Sequence, residues 1–380
     1  MGKKWVTAFA AAPREARMGT EVVVGRTIRL ETVVNLTGDT VRLRLGNLYG
    51  ETPMRIGGIT LWNGRSSAEI TFGGIPSLKL APGHSLQSDE VYLPVRAGDR
   101  LKLMIYFPAG EPAPHAASGV WQVDYSLPGN YTQDPNFAVD PDIDARQDAG
   151  VGHPLPALMD IELLADEKAR AIACFGDSIT EMRLWTDPLA EKVGETMEET
   201  ALLNLGIGGN RLLLPTGGRF AEMMGELFGQ SGLKRLQWDL LEKSGIDTVI
   251  LALGVNDVSQ PGSGEFCPPV DERCTFEEFA AGVSRTVLTL RKAGMRVIGC
   301  TITPFGGMMG CCEETLRLRR EINAWLARRT AAGELDGLID FAAAVADPQN
   351  PDRLLPAYDS GDHLHPSKLG GEKMAEAIRL

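Results

Sequence analysis

Four short blocks hold side chains whose types and spacing suit nucleophilic catalysis. GDSIT (176–180) places Ser178 two residues past Gly176, where an apolar stretch gives way to a helical one. Glycine permits the sharp turn, and Asp177 or Ser178 can cap the helix that follows. A serine there projects its hydroxyl outward. Its own N–H lies near a helix N-terminus, which favours developing negative charge. Taken alone, the block is better read as a plain Ser/Asp N-cap. It is not the G-x-S-x-G elbow, because residue 180 is Thr.

A serine hydroxyl is a weak nucleophile and needs a base beside it. The chain has 5 histidines. His84, His115 and His153 fall in the first half or in the connection after it, far in sequence from the strands discussed below. DHLH (362–365), followed by Pro366, holds the other two. Asp362 and His365 are one turn of backbone apart, so the carboxylate can sit against Nδ1–H. That contact fixes the tautomer and stabilises the imidazolium formed when Ser178 gives up its proton. His363 has a different offset and is expected to pack or face solvent. A metal on the H-x-H pair lacks a third and fourth ligand.

GVND (254–257) and NLGIGGNR (204–211) complete the set. Asn256, just past a strand, can aim its amide NH2 at an oxyanion. Asp257 suits an Asx-turn leading out of that strand. In the glycine-rich block, Gly209 can supply a backbone donor, with Gly208 its nearest competitor. The rival reading is a flexible loop. The spacing G-x-G-G, with no acid about 20 residues on, is not the dinucleotide fingerprint, so no nicotinamide cofactor is expected.

Each block stands just beyond a predicted strand or just before a predicted helix. AIACFG (171–176), ALLNLG (201–206), TVILALG (248–254), RVIGCTI (296–302) and GLIDF (337–341) are apolar on both faces, as parallel strands covered by helices are. Helical patterns cover 276–293, 313–331 and 367–380, with Pro366 suited to the first turn of the last. Five such units imply a doubly wound parallel sheet, whose ligands bind outside the carboxyl ends of the strands.

The first half reads differently, with apolar residues at period two. Val41, Leu43 and Leu45 share a face against Arg42 and Arg44. Leu101, Leu103, Ile105 and Phe107 share another, as do Trp121, Val123 and Tyr125. Turn clusters at Thr37-Gly38-Asp39 and Ala97-Gly98-Asp99 separate the runs. The expectation is an antiparallel, jelly-roll-like β-sandwich over 1–165, then an α/β domain over 166–380. Segment 129–160 is expected to be an irregular connection. Trp62, Trp121 and Tyr125 could contact sugar, although core packing is their commoner role.

Composition narrows the partners. The 380 residues include 50 acidic and 38 basic side chains, a formal charge of −12. Nucleic acid and anionic membrane surfaces both call for a basic patch, so neither is expected. No apolar run approaches the roughly 18–20 residues of a membrane span. Lys3 and Lys4 before WVTAFAAA resemble a short signal peptide, but Thr7 interrupts the run, and a first β-strand with a cytoplasmic location is the preferred reading. The 6 cysteines form no paired C-x-x-C knuckles, so no zinc site is expected. Cys174 and Cys300 read as core residues, and Cys267 and Cys274 as free thiols.

In this order the four blocks resemble the SGNH hydrolases, also called the GDSL esterase/lipase family, over roughly 170–380. The resemblance implies a flavodoxin-like three-layer α/β/α domain with Ser178 as nucleophile. It also implies the Ser178 N–H, Gly209 and Asn256 as oxyanion donors, and Asp362 and His365 as the acid–base pair. WVTAFAAAP, TPFGG and LLPAYDSGDHLHPS extend the likeness to a bacterial branch of arylesterases and acylhydrolases found near xylan-degrading genes. The implied activity is hydrolysis of a small-molecule or carbohydrate ester without cofactor or metal. Segment 258–275 resembles an insertion beside the crevice.

Overall fold

The computed structural model describes residues 2–16, 20–112, 114, 116–121, 123–144 and 153–380; the side chains at 116–121, 144, 153 and 154 are not described. His115 and the side chains of Trp121 and His153 therefore lie outside the described residues. The chain divides into two compact units, 1–171 with 196–203, and 172–195 with 204–380.

The first half is built of antiparallel strands. One sheet runs Lys3–Ala10, Leu158–Asp166, Gly38–Gly46, Val91–Val95, with Ser85–Gln87 also pairing Gly38–Gly46. A second runs Val123–Tyr125, Arg26–Val33, Arg100–Phe107, Gly58–Trp62, Ser67–Glu69, and a third has three strands. Period-two alternation works as the side-chain geometry of a strand requires. Val41, Leu43 and Leu45 are fully buried, while Arg42 lies over the Trp5 ring and reaches Glu162 at 2.7 Å. Tyr125 is buried too, so it packs and meets no solvent-borne ligand.

Part of the expected connection 129–160 is sheet. His153–Pro156 and Leu158–Asp166 are strands, and the latter pairs with both Lys3–Ala10 and Gly38–Gly46. The acids obscured this pattern. Asp160 and Glu162 are buried, held by Arg44 at 3.7 Å and Arg42 at 2.7 Å on the next strand. Buried carboxylates with cross-strand cations mimic a polar connection in the sequence.

The second half carries a five-stranded sheet in the order Thr200–Gly206, Arg170–Gly176, Ile246–Ala252, Arg296–Cys300, Gly337–Ile339. The last three strands pair in parallel. The strand order reverses at Arg170–Gly176, so the carboxyl end of that strand is the crevice of the fold. Phe276–Lys292 shows how the sequence fixes its helices. Thr275 and Glu278 form a reciprocal capping box, and Phe279, Val283, Thr286, Val287 and Leu290 bury one face at helical spacing. The last helix is Lys368–Glu376, capped by Ser367. Pro366 stands outside it, bridged to Asp359 instead of occupying the first turn.

Candidate active site

The strand Arg170–Gly176 is apolar and buried almost throughout, and ends at a glycine that nothing larger could replace. A Cβ on Gly176 would lie 2.0 Å from Thr180 Oγ1. The chain turns there into the single-turn helix Ser178–Glu181, whose cap is Asp177: its Oδ1 accepts from the Ile179 N–H at 3.0 Å. Asp177 is thereby occupied, and Ser178 faces the imidazole of His365, with Oγ 2.8 Å from Nε2.

The loop that brings His365 is organised by its carboxylates. Asp362 Oδ2 lies 2.5 Å from His365 Nδ1, and Oδ1 accepts the N–H groups of Leu364 and His365 at 2.9 and 2.8 Å. A carboxylate beside Nδ1 requires the proton there, which leaves Nε2 bare to accept from the Ser178 hydroxyl. Partial burial works to raise the Asp362 carboxyl, but the hydrogen bonds from His365 and the two amides outweigh it and hold the group at about 2. His363 is directed elsewhere, with Nδ1 2.6 Å from Asp359 Oδ2.

Asn256 lies buried in the first turn of Val255–Ser259. Its Nδ2 donates one hydrogen to the Asn210 carbonyl at 3.0 Å, which aims the amide and leaves its second hydrogen open. Of the two competing glycines, Gly208 donates its N–H to Glu181 Oε2 at 2.8 Å. Gly209 adopts φ +71, and a Cβ there would meet Phe228 Cγ at 2.5 Å. Phe228 packs at a tilt against Phe220, and Phe220 against Phe266 of segment 258–275, so that segment is linked to Gly209 through three rings. Cys267 and Cys274, both within it, are free thiols.

Two buried acids stand behind the site. Asp257 closes no Asx-turn; its oxygens accept from the Leu212 and Leu213 N–H groups at 2.8 and 3.0 Å, tying the third block to the second. Burial pushes its carboxyl up to about 6, against the pull of those amides. Burial also lifts Asp177 to about 7, with the nearby Asp257 charge adding to the effect and the Ile179 amide and Arg235 opposing it.

Arg235 was not legible as a site residue. Its guanidinium is fully buried, 3.8 Å over the Phe175 ring, and donates to Gly176 O at 2.7 Å, Leu205 O at 3.0 Å, Asn210 Oδ1 at 2.9 Å and Asp239 Oδ2 at 2.7 Å. One cation thus spans the strand ends that lead to Ser178 and to Gly209. In the sequence, Arg235 and Asp239 are four apart on a helical stretch, which reads as an exposed ion pair.

His84 contacts its own loop, at Pro82 O, and is not part of this arrangement. Among the described residues, no group of three His, Cys, Asp or Glu side chains could hold a metal ion. None of the described helices is long and apolar enough to cross a membrane.

A family model described as GDSL-like Lipase/Acylhydrolase family matches residues 174–373. Among solved structures, an acetylxylan esterase from Geobacillus stearothermophilus is similar at 19% identity and a TM-score of 0.40, over 55% of this chain and 91% of that one. A GDSL-like lipase from Bacteroides thetaiotaomicron is similar at 19% identity and 0.39, over 56% and 87%. An acetyl xylan esterase is similar at 21% identity and 0.39, over 55% and 96%. Comparison with curated proteins gives no match.

Proposed function

The chain belongs to the GDSL-like lipase/acylhydrolase family, and from that premise we propose that it hydrolyses carboxylic esters through an acyl-enzyme on Ser178. The observation that carries this reading is the continuous line from Ser178 Oγ to His365 Nε2 at 2.8 Å and from His365 Nδ1 to Asp362 Oδ2 at 2.5 Å. Such a line supplies a nucleophile, its base and the group that orients the base.

In the proposed reaction Ser178 Oγ attacks the ester carbonyl while His365 Nε2 takes its proton. The oxyanion is held by the N–H groups of Ser178 and Gly209 and by the open hydrogen of the Asn256 amide. Gly209 is the chosen glycine because the Gly208 N–H is engaged by Glu181. His365 then protonates the leaving alcohol, and water attacks the acyl-Ser178 with His365 again as base. No step calls for a metal or an organic cofactor. The proposed substrate carries a short acyl group, acetyl foremost, on a sugar or aryl alcohol; the sequence holds no long apolar segment suited to covering a fatty chain.

A p-nitrophenyl ester series from acetate to laurate, run with Ser178→Ala as control, tests both parts. Falling rates with chain length and loss of activity in Ser178→Ala are expected. Preference for the long chains refutes the acyl assignment, and stoichiometric phosphonate labelling at a residue other than Ser178 refutes the nucleophile. Transfer to an alcohol in place of water would use the same residues, and product analysis with a sugar acceptor separates the two. For the first half, the proposed arrangement of its antiparallel sheets is a jelly-roll-like sandwich.

A further inference from the structure

The loop that carries Asp362 and His365 holds a second acid–imidazole pair that the reaction above does not use. His363 Nδ1 lies 2.6 Å from Asp359 Oδ2, and the His363 N–H donates to Asp359 Oδ1 at 3.0 Å. The acid is more shielded than the imidazole: side-chain exposure is 10% at Asp359 and 52% at His363.

This placement is held against backbone preference. His363 has φ +63, a left-handed conformation that a side chain with a Cβ seldom adopts without compensation. The two contacts to Asp359 provide that compensation. The ring also lies against Gly307, on the loop after Arg296–Cys300: a Cβ on Gly307 would stand 3.2 Å from His363 Cδ2 and Cγ. Gly307 itself has φ +105. The ring is therefore fixed on two sides while half of it faces solvent.

The chemistry of that outer edge follows from its partner. Asp359 accepts at Nδ1, so the neutral ring keeps a lone pair at Nε2 and accepts a hydrogen bond there. Its place in the reaction follows from its neighbour. His365 must hand a proton to the alcohol oxygen, so the alcohol lies beside the loop from Asp359 to Pro366. That loop is closed by the Asp359–Pro366 bridge and by Ser360 N–H to His365 O at 3.0 Å.

We propose that His363 is a substrate-contact residue whose Nε2 accepts a hydrogen bond from a hydroxyl of the departing alcohol, selecting polyhydroxylated, sugar-like alcohols over aryl ones. The proposal rests on the serine esterase reading and names which side of the ester is recognised. A phenolic leaving group has no second hydroxyl to offer and gains nothing from this contact.

The test is His363→Asn in the full chain. Asparagine tolerates the left-handed backbone, its Nδ2 can replace Nδ1 as donor to Asp359, and nothing remains where Nε2 was. The readout is kcat/KM on a monoacetylated methyl xyloside relative to kcat/KM on p-nitrophenyl acetate, with melting temperature as the check on folding. The ratio should fall about 5- to 10-fold, the worth of one hydrogen bond. An unchanged ratio overturns the proposal, as does a wild-type enzyme that cleaves the aryl acetate and leaves the acetylated sugar intact. His363→Gly, which removes the backbone conflict, covers the case in which the asparagine variant misfolds, and the same fall is expected. Ser178→Ala is read separately: activity near the wild-type level in that variant sinks the nucleophile assignment, whereas the ratio reports only on His363.

Discussion

At the level of single residues, the proposed roles differ in what each removal should cost. Ser178→Ala or His365→Ala should lower kcat by about 10⁴–10⁶, because members of a nucleophile–base unit fail together. Asn256→Ala should lower it by about 10²–10³, the worth of one oxyanion donor. Steady-state kinetics on p-nitrophenyl acetate separates them, and equal losses for Ser178 and Asn256 would contradict the assignment. The buried acids make a different prediction. Asp177 is lifted to about 7 from an ordinary 3.8, so the folded chain binds its proton more tightly than the unfolded one. Its contribution to stability is complete below pH about 4 and is lost as pH rises through about 7. Asp257, lifted to about 6, acts in the same direction. Asp362, held at about 2, acts in the other: its contribution is present above pH about 4 and disappears as pH falls through about 2. Melting temperatures of Asp177→Asn between pH 4 and 8 should therefore decline less steeply than those of the wild type. An identical slope would mean that the carboxyl does not stay protonated in the fold.

At the level of elements, the site depends on three strand ends brought to one place and on glycines that let them approach. Gly206 shows the tolerance: a Cβ there would lie 2.2 Å from the Glu181 N, on the helix that begins with Ser178. Gly209 combines φ +71 with the Phe228 ring at 2.5 Å from its absent Cβ, so Gly209→Ala must shift the loop. The expected result is a fall in kcat of at least about 10-fold, through displacement of the donated N–H, with little change in far-UV circular dichroism. An alanine variant with full activity would remove Gly209 from the oxyanion site. Arg235 and Asp257 work across the same elements, one through strand-end carbonyls and the other through the amides of Leu212 and Leu213. Neither was legible in the sequence. An Arg–Asp pair at helical spacing and an Asp after a strand are both ordinary surface patterns until the chain packs around them.

Considered as a whole molecule, the chain does not cut cleanly near residue 165. Residues 196–203 belong to the first compact unit, where Asn35 Nδ2 donates to Met197 O at 3.1 Å and Thr200 O at 2.9 Å. They lead directly into Asn204–Gly209. A fragment spanning 166–380 should therefore melt below the full chain and turn over p-nitrophenyl acetate more slowly. Equal values would make the N-terminal strands dispensable to the site. What could be read in advance was local. Asp362 and His365 are one turn apart, Asp177 precedes a helix, and continuous apolar runs mark strands covered on both sides, because a few bonds of backbone fix such relations. The meeting of Ser178 with an imidazole 187 residues away depends on strand order, which local spacing does not encode. The same holds for Gly208 giving its N–H to Glu181, for the His363 ring lying against Gly307, and for the burial of Asp160 and Glu162 against arginines on the next strand. In each case the deciding partner comes from a different element, and folding alone brings it within reach.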